Sequence, residues 1–256
     1  LREATQHWEN VAGDGNGGDY ISALIGLAEA ALSLGNRPEA ESAYERAKEA
    51  FPRVKDVTGA RSAYLHEGLA RITARLSERA KSGQHLGQAL RILVETEPKD
   101  DRSIRRVLRM LMHTYTKLGD LSAAADYAEQ AIEADVIAYG EHHERVIADR
   151  SRRAAILWQA GDREQSIAEM ERVLASSREV FGADSREVAL HEYNLGTFCQ
   201  DVRRYEEAKR HYETAATLFE RAIGAKHKYT VRALESLRRL ERGLQRRRAR
   251  EAKKNG

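Results

Sequence analysis

Three pairs of an apolar residue followed by glycine stand 42 residues apart in this 256-residue chain: Tyr139-Gly140, Phe181-Gly182 and Ile223-Gly224. Six residues after each glycine comes a β-branched residue: Val146, Val188 and Thr230. Between these marks Ala124, Ala128 and Ala131 recur as Ser166, Met170 and Val173, and again as Ala208, Tyr212 and Ala215. A spacing of four then three puts each trio on one stripe of a helix, where it packs against neighbours. A fixed period of this length means one supersecondary unit stacked many times, because a single unit cannot bury its apolar face alone.

The pattern reaches toward the N-terminus with looser spacing. Ala40, Tyr44 and Ala47 follow Gly35 as Ala124 follows Gly119 and Ser166 follows Gly161; Leu86, Leu90 and Leu93 are the trio expected in between. Each glycine predicts the left-handed turn that ends a helix. Composition agrees. Only 3 prolines occur, and Pro52 and Pro98 follow expected helices while Pro38 opens one. Aromatic residues make up 6% and charged residues 32%, against β-sandwiches and barrels, and a hydrophobic share of 41% suits a thin, stacked interior. Helices are predicted over 1–12, 19–34, 37–50, 57–80, 84–96, 102–118, 121–138, 143–160, 163–180, 185–201, 204–222 and 227–253, with 51–62 as the least regular join.

These residues resemble the tetratricopeptide repeat, a helix-turn-helix unit with small residues where its helices approach. Leu24, Leu27, Ala28, Gly35, Ala40, Tyr44, Ala47 and Pro52 carry the resemblance, and from about Asp101 to Ser236 it is to the 42-residue kinesin-light-chain or nephrocystin-like variety. His143, His227 and Asn194-Leu195-Gly196 match that variety's signature, whereas Ser185 departs from its histidine and Glu144, Arg186 and Lys228 from its proline. The resemblance implies an all-α, right-handed α–α superhelical solenoid. Its units would be 19–52, an irregular 57–98, 102–139, 143–181, 185–223 and a capping helix with a basic tail at 227–256. Ala4, Trp8 and Val11 repeat the stripe, so 1–12 reads as the second helix of a truncated repeat, with a capping helix as the alternative. On the first of these readings the array is expected to begin in mid-repeat.

Motifs with chemistry are few. Gly13, Gly15 and Gly18 spell a dinucleotide-binding pattern but lack the preceding strand it needs. A calcium loop starting at Asp14 would need an acid where Ile25 stands. His191-Glu192 opens like a zinc-protease helix, yet Leu195 occupies the second histidine's place. Adjacent His142 and His143 diverge on a helix and chelate poorly. Cys199 is the sole cysteine and is read as a small core residue. No catalytic residues, metal or cofactor are therefore expected.

In the resembled family the first helix of each pair lines a concave surface. There Arg106, Arg109, His113 and Lys117 would face a ligand, with Arg150, Ser151, Arg152 and Arg153 replacing a usual Leu-Asn-Asn-Leu, and Tyr193 and Asn194 beyond them. This predicts a basic groove for an acidic peptide, with arginine forks on carboxylates. The competing reading pairs the arginines internally with Asp101, Asp149, Glu192 or a neighbouring helix. The Lys-Asn carboxylate clamp of chaperone-binding relatives is absent, with Ile25 and Glu29 in its places.

The formal charge of +3 hides a division. Residues 232–256 hold ten cations and three acids, a net of +7, which leaves −4 on the remaining 231. Beyond Leu244 no apolar face continues, so Arg246, Arg247, Arg248 and Arg250 would project as a basic helix end. They suit nucleic-acid phosphates, an anionic membrane or an acidic protein, or simply complement the helix dipole. The leading expectation is a non-enzymatic protein-interaction scaffold that binds an acidic peptide or helix. Alternatives are a structural subunit of a ribonucleoprotein or large assembly anchored by the basic helix, and the sensing arm of a multidomain signalling protein. The single cysteine is compatible with a reducing compartment, and an intracellular, cytoplasmic setting is expected.

Overall fold

A computed structural model describes residues 17–53, 58–96 and 102–254. The expected helix 1–12 and the loop before Gly17 lie outside these residues, as do the side chains of Arg248 and Arg250. The described elements are α1 (Gly17–Ser33), α2 (Arg37–Ala50), a 3-10 turn (Phe51–Arg53), α3 (Gly59–Arg75), α4 (Arg79–Thr96), α5 (Arg102–Leu118), α6 (Leu121–Tyr139), α7 (Glu144–Ala160), α8 (Arg163–Phe181), α9 (Arg186–Asp201), α10 (Tyr205–Ile223) and α11 (Lys228–Lys254). The chain forms two compact units, residues 1–138 and 139–256. Consecutive helices pack together within each: α1 on α2, α3 on α4 and α4 on α5 in the first, and α7 through α11 in sequence in the second. This is the all-α tetratricopeptide solenoid architecture. No described helix is long and apolar enough to cross a membrane.

The structure extends the period and corrects its register. The second trio is Ser82, Leu86 and Ala89, rather than Leu86, Leu90 and Leu93. All three are at most 1% exposed. With that change every trio from Ala40 through Ser82, Ala124 and Ser166 to Ala208 lies 42 residues from the next. Serine replaces alanine twice, each time with one solution: Ser82 Oγ donates to the Ala70 carbonyl at 3.0 Å and Ser166 Oγ to the Ala154 carbonyl at 2.6 Å. The buried hydroxyl thus meets an acceptor on the helix it packs against.

The expected helices 57–80 and 84–96 shift for a related reason. The turn between them is Leu76-Ser77-Glu78, where Ser77 takes φ 67° and the Glu78 amide donates to the Thr73 carbonyl at 2.8 Å. Arg203, at φ 65°, plays the same part before α10. Both occupy the place held by Gly35, Gly119 and Gly161, whose φ values are 74°, 85° and 94°. A side chain in this conformation is strained, and at Ser77, where no glycine stands, the sequence did not mark the turn. Ser77→Gly and Arg203→Gly should each raise stability by about 1 kcal/mol, because lost strain outweighs the added freedom of the unfolded chain. Urea melting checks this; an unchanged or lower midpoint would count against it.

Gly196, the small member of the Asn194-Leu195-Gly196 triplet, marks a close helix approach in the second unit. A Cβ there would lie 2.9 Å from Tyr212 Cδ1, so the buried tyrosine ring fixes the residue as glycine.

Candidate functional site: an arginine-walled groove

Between α3, α4 and α5 the first unit holds an open groove of about 590 Å³. Its floor is apolar, formed by Ala70, Ala74, Leu86 and Met110, and its walls carry Arg71, Arg75, Arg106, Arg109 and His113. The structure therefore brings three predicted residues, Arg106, Arg109 and His113, into one cavity. Lys117, farther along α5, is exposed and does not line it. Arg71, Arg75 and the apolar floor were missed from the sequence, since α3 had no legible repeat register.

The wall arginines are held from behind. Arg106 makes a two-pronged contact with Glu67, Nε and Nη2 each 2.8 Å from a carboxylate oxygen. Arg109 Nη2 donates to Asp135 Oδ2 at 2.5 Å, and Arg71 Nε to Glu29 Oε1 at 2.9 Å. Glu67 is 3% exposed and Asp135 fully buried, so these acids need the guanidinium groups as partners. Arg105, itself buried, lies 3.2 Å from Asp135 through Nε. In the other repeats the Arg105 place is taken by Ile21, Ala63, Ile147 or Ala189, and the Asp135 place by Phe51, Leu93, Ser177 or Phe219. What is an apolar packing pair in three of the other repeats has here become an ion pair.

The second unit distributes its candidates differently. Arg152 is bonded to the buried Asp149, while Arg150 contacts Glu141 and Glu169, and Arg153 also reaches Glu169. These contacts are of the internal kind. Tyr193 lines a separate cavity near the start of α11. Asn194 is half-buried on α9 and makes no side-chain hydrogen bond among the described residues. Of the tail candidates, Arg246 is exposed and Arg247 lies over the Tyr205 ring, 5.8 Å from its centre.

One packing place in each helix pair also concentrates ionisable groups. It holds Leu24 and Ala43 in the first pair and Leu108 and Tyr127 in the third, but His66 with His85, Arg150 with Glu169, and Glu192 with His211 in the others. His66 Nδ1 lies 3.3 Å from His85 Nδ1, and His85 Nε2 lies 3.0 Å from the Tyr44 hydroxyl. Burial, with the neighbouring His85, lowers the pKa of His66 to about 4; burial, Lys48 and Lys81 also lower that of His85. His211 behaves in the opposite way. Burial lowers its pKa, but hydrogen bonds to Cys199 and Glu192 outweigh that and raise it to about 9. Glu192, 2% exposed, takes both His211 Nδ1 at 2.6 Å and Arg178 Nη2 at 2.5 Å. The His191-Glu192 dipeptide is thus part of the packing between helices, and Cys199 is buried beside it.

Family models described as tetratricopeptide repeat match residues 111–135, 150–187 and 187–253. The chain is a tetratricopeptide-repeat protein. Among solved structures the array is similar to the apo form of RapI, with a TM-score of 0.70 and 18% identity over 88% of this chain and 60% of RapI. It is also similar to a putative kinesin light chain of Podosopora anserina with nearly identical TPR-like repeats, with a TM-score of 0.65 and 16% identity over 80% of this chain and 97% of the other. BtubC (BKLC) from P. vanneervenii gives a TM-score of 0.60 and 17% identity over 85% and 87% of the two chains. The array's repeats thus resemble kinesin-light-chain-like repeats. A sequence comparison with curated proteins finds no match.

Proposed function

We propose that this tetratricopeptide array is a protein-interaction scaffold whose α3–α5 groove takes a peptide with an apolar side chain flanked by carboxylates. The observation that carries this reading is the groove's composition: an apolar floor of about 590 Å³ under five basic side chains. Because Glu67, Asp135 and Glu29 already fix the arginines, little side-chain entropy is lost when a ligand arrives. Arg71 engages Glu29 through Nε, which leaves its terminal nitrogens for a peptide carboxylate. Arg106 supplies further positive charge, and Met110 offers an adaptable apolar surface. Lys117 and Arg152 play no part in this reading.

Charge reversal of Arg109 would be an ambiguous test, since it also strips Asp135 of a partner. Ala74 is exposed on the groove floor, so Ala74→Trp fills the space without touching the interior. A panel of fluorescein-labelled nonapeptides, with a central Leu or Phe between glutamates, serves as the probe for anisotropy titrations. Acidic peptides should bind, the lysine-for-glutamate versions should not, and Ala74→Trp should weaken binding by at least tenfold. Binding that survives Ala74→Trp, or that prefers the basic peptides, would reject the groove.

A further inference from the structure

Beside the start of α11 the second unit has another cavity, about 580 Å³ in volume, and it does not depend on the peptide reading. Lys226, Lys228, Arg232 and Arg239 line it against one lining carboxylate, Glu235. Among the described residues, none of these four cations forms an ion pair with an acid. The contrast with Arg106, Arg109, Arg150 and Arg152, each set against a buried acid, is what singles out the site.

Arg232 is nevertheless positioned. Its Nε donates to the Tyr193 hydroxyl at 3.1 Å, and its guanidinium lies over the Tyr193 ring, 5.5 Å from the centre. The Tyr193 hydroxyl is in turn 3.3 Å from Ser236 Oγ. A held guanidinium and two hydroxyls therefore meet in one wall. Four cations facing one space repel one another, and an anion entering it relieves that repulsion.

The charge and size of the cavity select the anion. The lining groups sum to +3. A terminal phosphoryl group carries about −1.5 to −2 at neutral pH and an inner one about −1, so two adjoining groups balance the site, whereas a carboxylate brings only about −1. The volume is that of a small-molecule pocket. Lysines act as point charges on phosphate, and arginines as two-pronged donors. We propose that this cavity binds a compact ligand bearing two or three adjoining phosphoryl groups.

Titration calorimetry of the full chain at low salt, with inorganic tripolyphosphate as probe, tests the assignment. Tripolyphosphate should bind at one site, and citrate, of similar charge but built from carboxylates, at least tenfold more weakly. Arg232→Gln combined with Arg239→Gln should weaken tripolyphosphate by at least tenfold while circular dichroism stays unchanged. Arg238→Gln with Arg242→Gln, on α11 outside the cavity, should leave binding intact. Equal affinity for citrate, or equal loss in the control pair, would overturn the proposal. So would failure of tripolyphosphate to bind. A single-stranded 20-nucleotide DNA that binds more tightly through Arg232 and Arg239 would make the site a nucleic-acid backbone contact and overturn the compact-ligand assignment.

Discussion

Asp135→Ala should lower the stability of the 1–138 unit by about 3–5 kcal/mol, the usual cost of leaving a buried charge without its counter-ion. Asp135 is fully buried, and Arg105 is 6% exposed beside it. Arg109, whose side chain is 25% exposed, can turn to water when the carboxylate goes, but Arg105 cannot. Removing both buried charges should reverse the sign. Arg105→Ile with Asp135→Leu restores the apolar pairing found at the same places in three other repeats, and should be neutral or stabilising by about 1–4 kcal/mol. Urea unfolding of both variants, with hydrogen exchange to locate the change, gives the comparison. A double variant as unstable as Asp135→Ala would show that the ion pair stabilises the helices beyond what apolar packing can replace.

The second large effect is a pH response that differs between the units. His66 has a folded pKa of about 4 against an ordinary 6.5, so between those values the unfolded chain holds more protons. Its contribution to the first unit is therefore complete above pH 6.5 and is lost as pH falls toward 4. The charges around the pair, Lys48 with Glu45 and Lys81 with Glu78, are neutralised in place, so they do not reverse this direction. His211 is raised to about 9, so its contribution to the second unit is complete below pH 6.5 and is lost as pH rises through 9. Allowing for solvent screening of these partly open imidazoles, each amounts to about 1–2 kcal/mol. Hydrogen exchange at pH 4.5, 6.5 and 8.5 should show α3 and α4 opening first in acid, and α9 and α10 first in alkali. His66→Leu and His211→Leu should flatten the respective limbs. Parallel opening of both units at each extreme would contradict the assignment.

The fold was legible because its strongest constraint, a period with small residues at close contacts, is a property of residue order. It failed where a residue did a glycine's or an alanine's work. Ser77 makes a left-handed turn that carries no sequence mark, and Ser82 heads a trio because a backbone carbonyl accepts its hydroxyl. That one serine displaced the second repeat's register by four residues. The candidate site was half legible for a different reason. Arg106, Arg109 and His113 could be placed on one helix face by counting. Whether Arg152 would face a ligand or an internal acid depended on Asp149, three residues away and fully buried. Charges inside helices look solvent-facing in a sequence, and only packing shows that Glu67, Asp135, Glu169 and Glu192 lie within. The paired histidines were overlooked because 19 residues separate His66 from His85.

An array of near-equivalent helices faces a hazard that a single-core protein does not: a helix can dock one repeat out of place and still bury much the same apolar stripe. The mixed occupants of the equivalent packing places work against such a slip. Moved by 42 residues, Arg105 would meet Leu93 or Ser177 in place of Asp135, and Glu192 would lose His211. Each mismatch strands a buried charge, while the correct register strands none of these. The ion pairs thus act as addresses that tell one repeat from the next, and the apolar Arg105→Ile/Asp135→Leu array is where faithful pairing would be at risk.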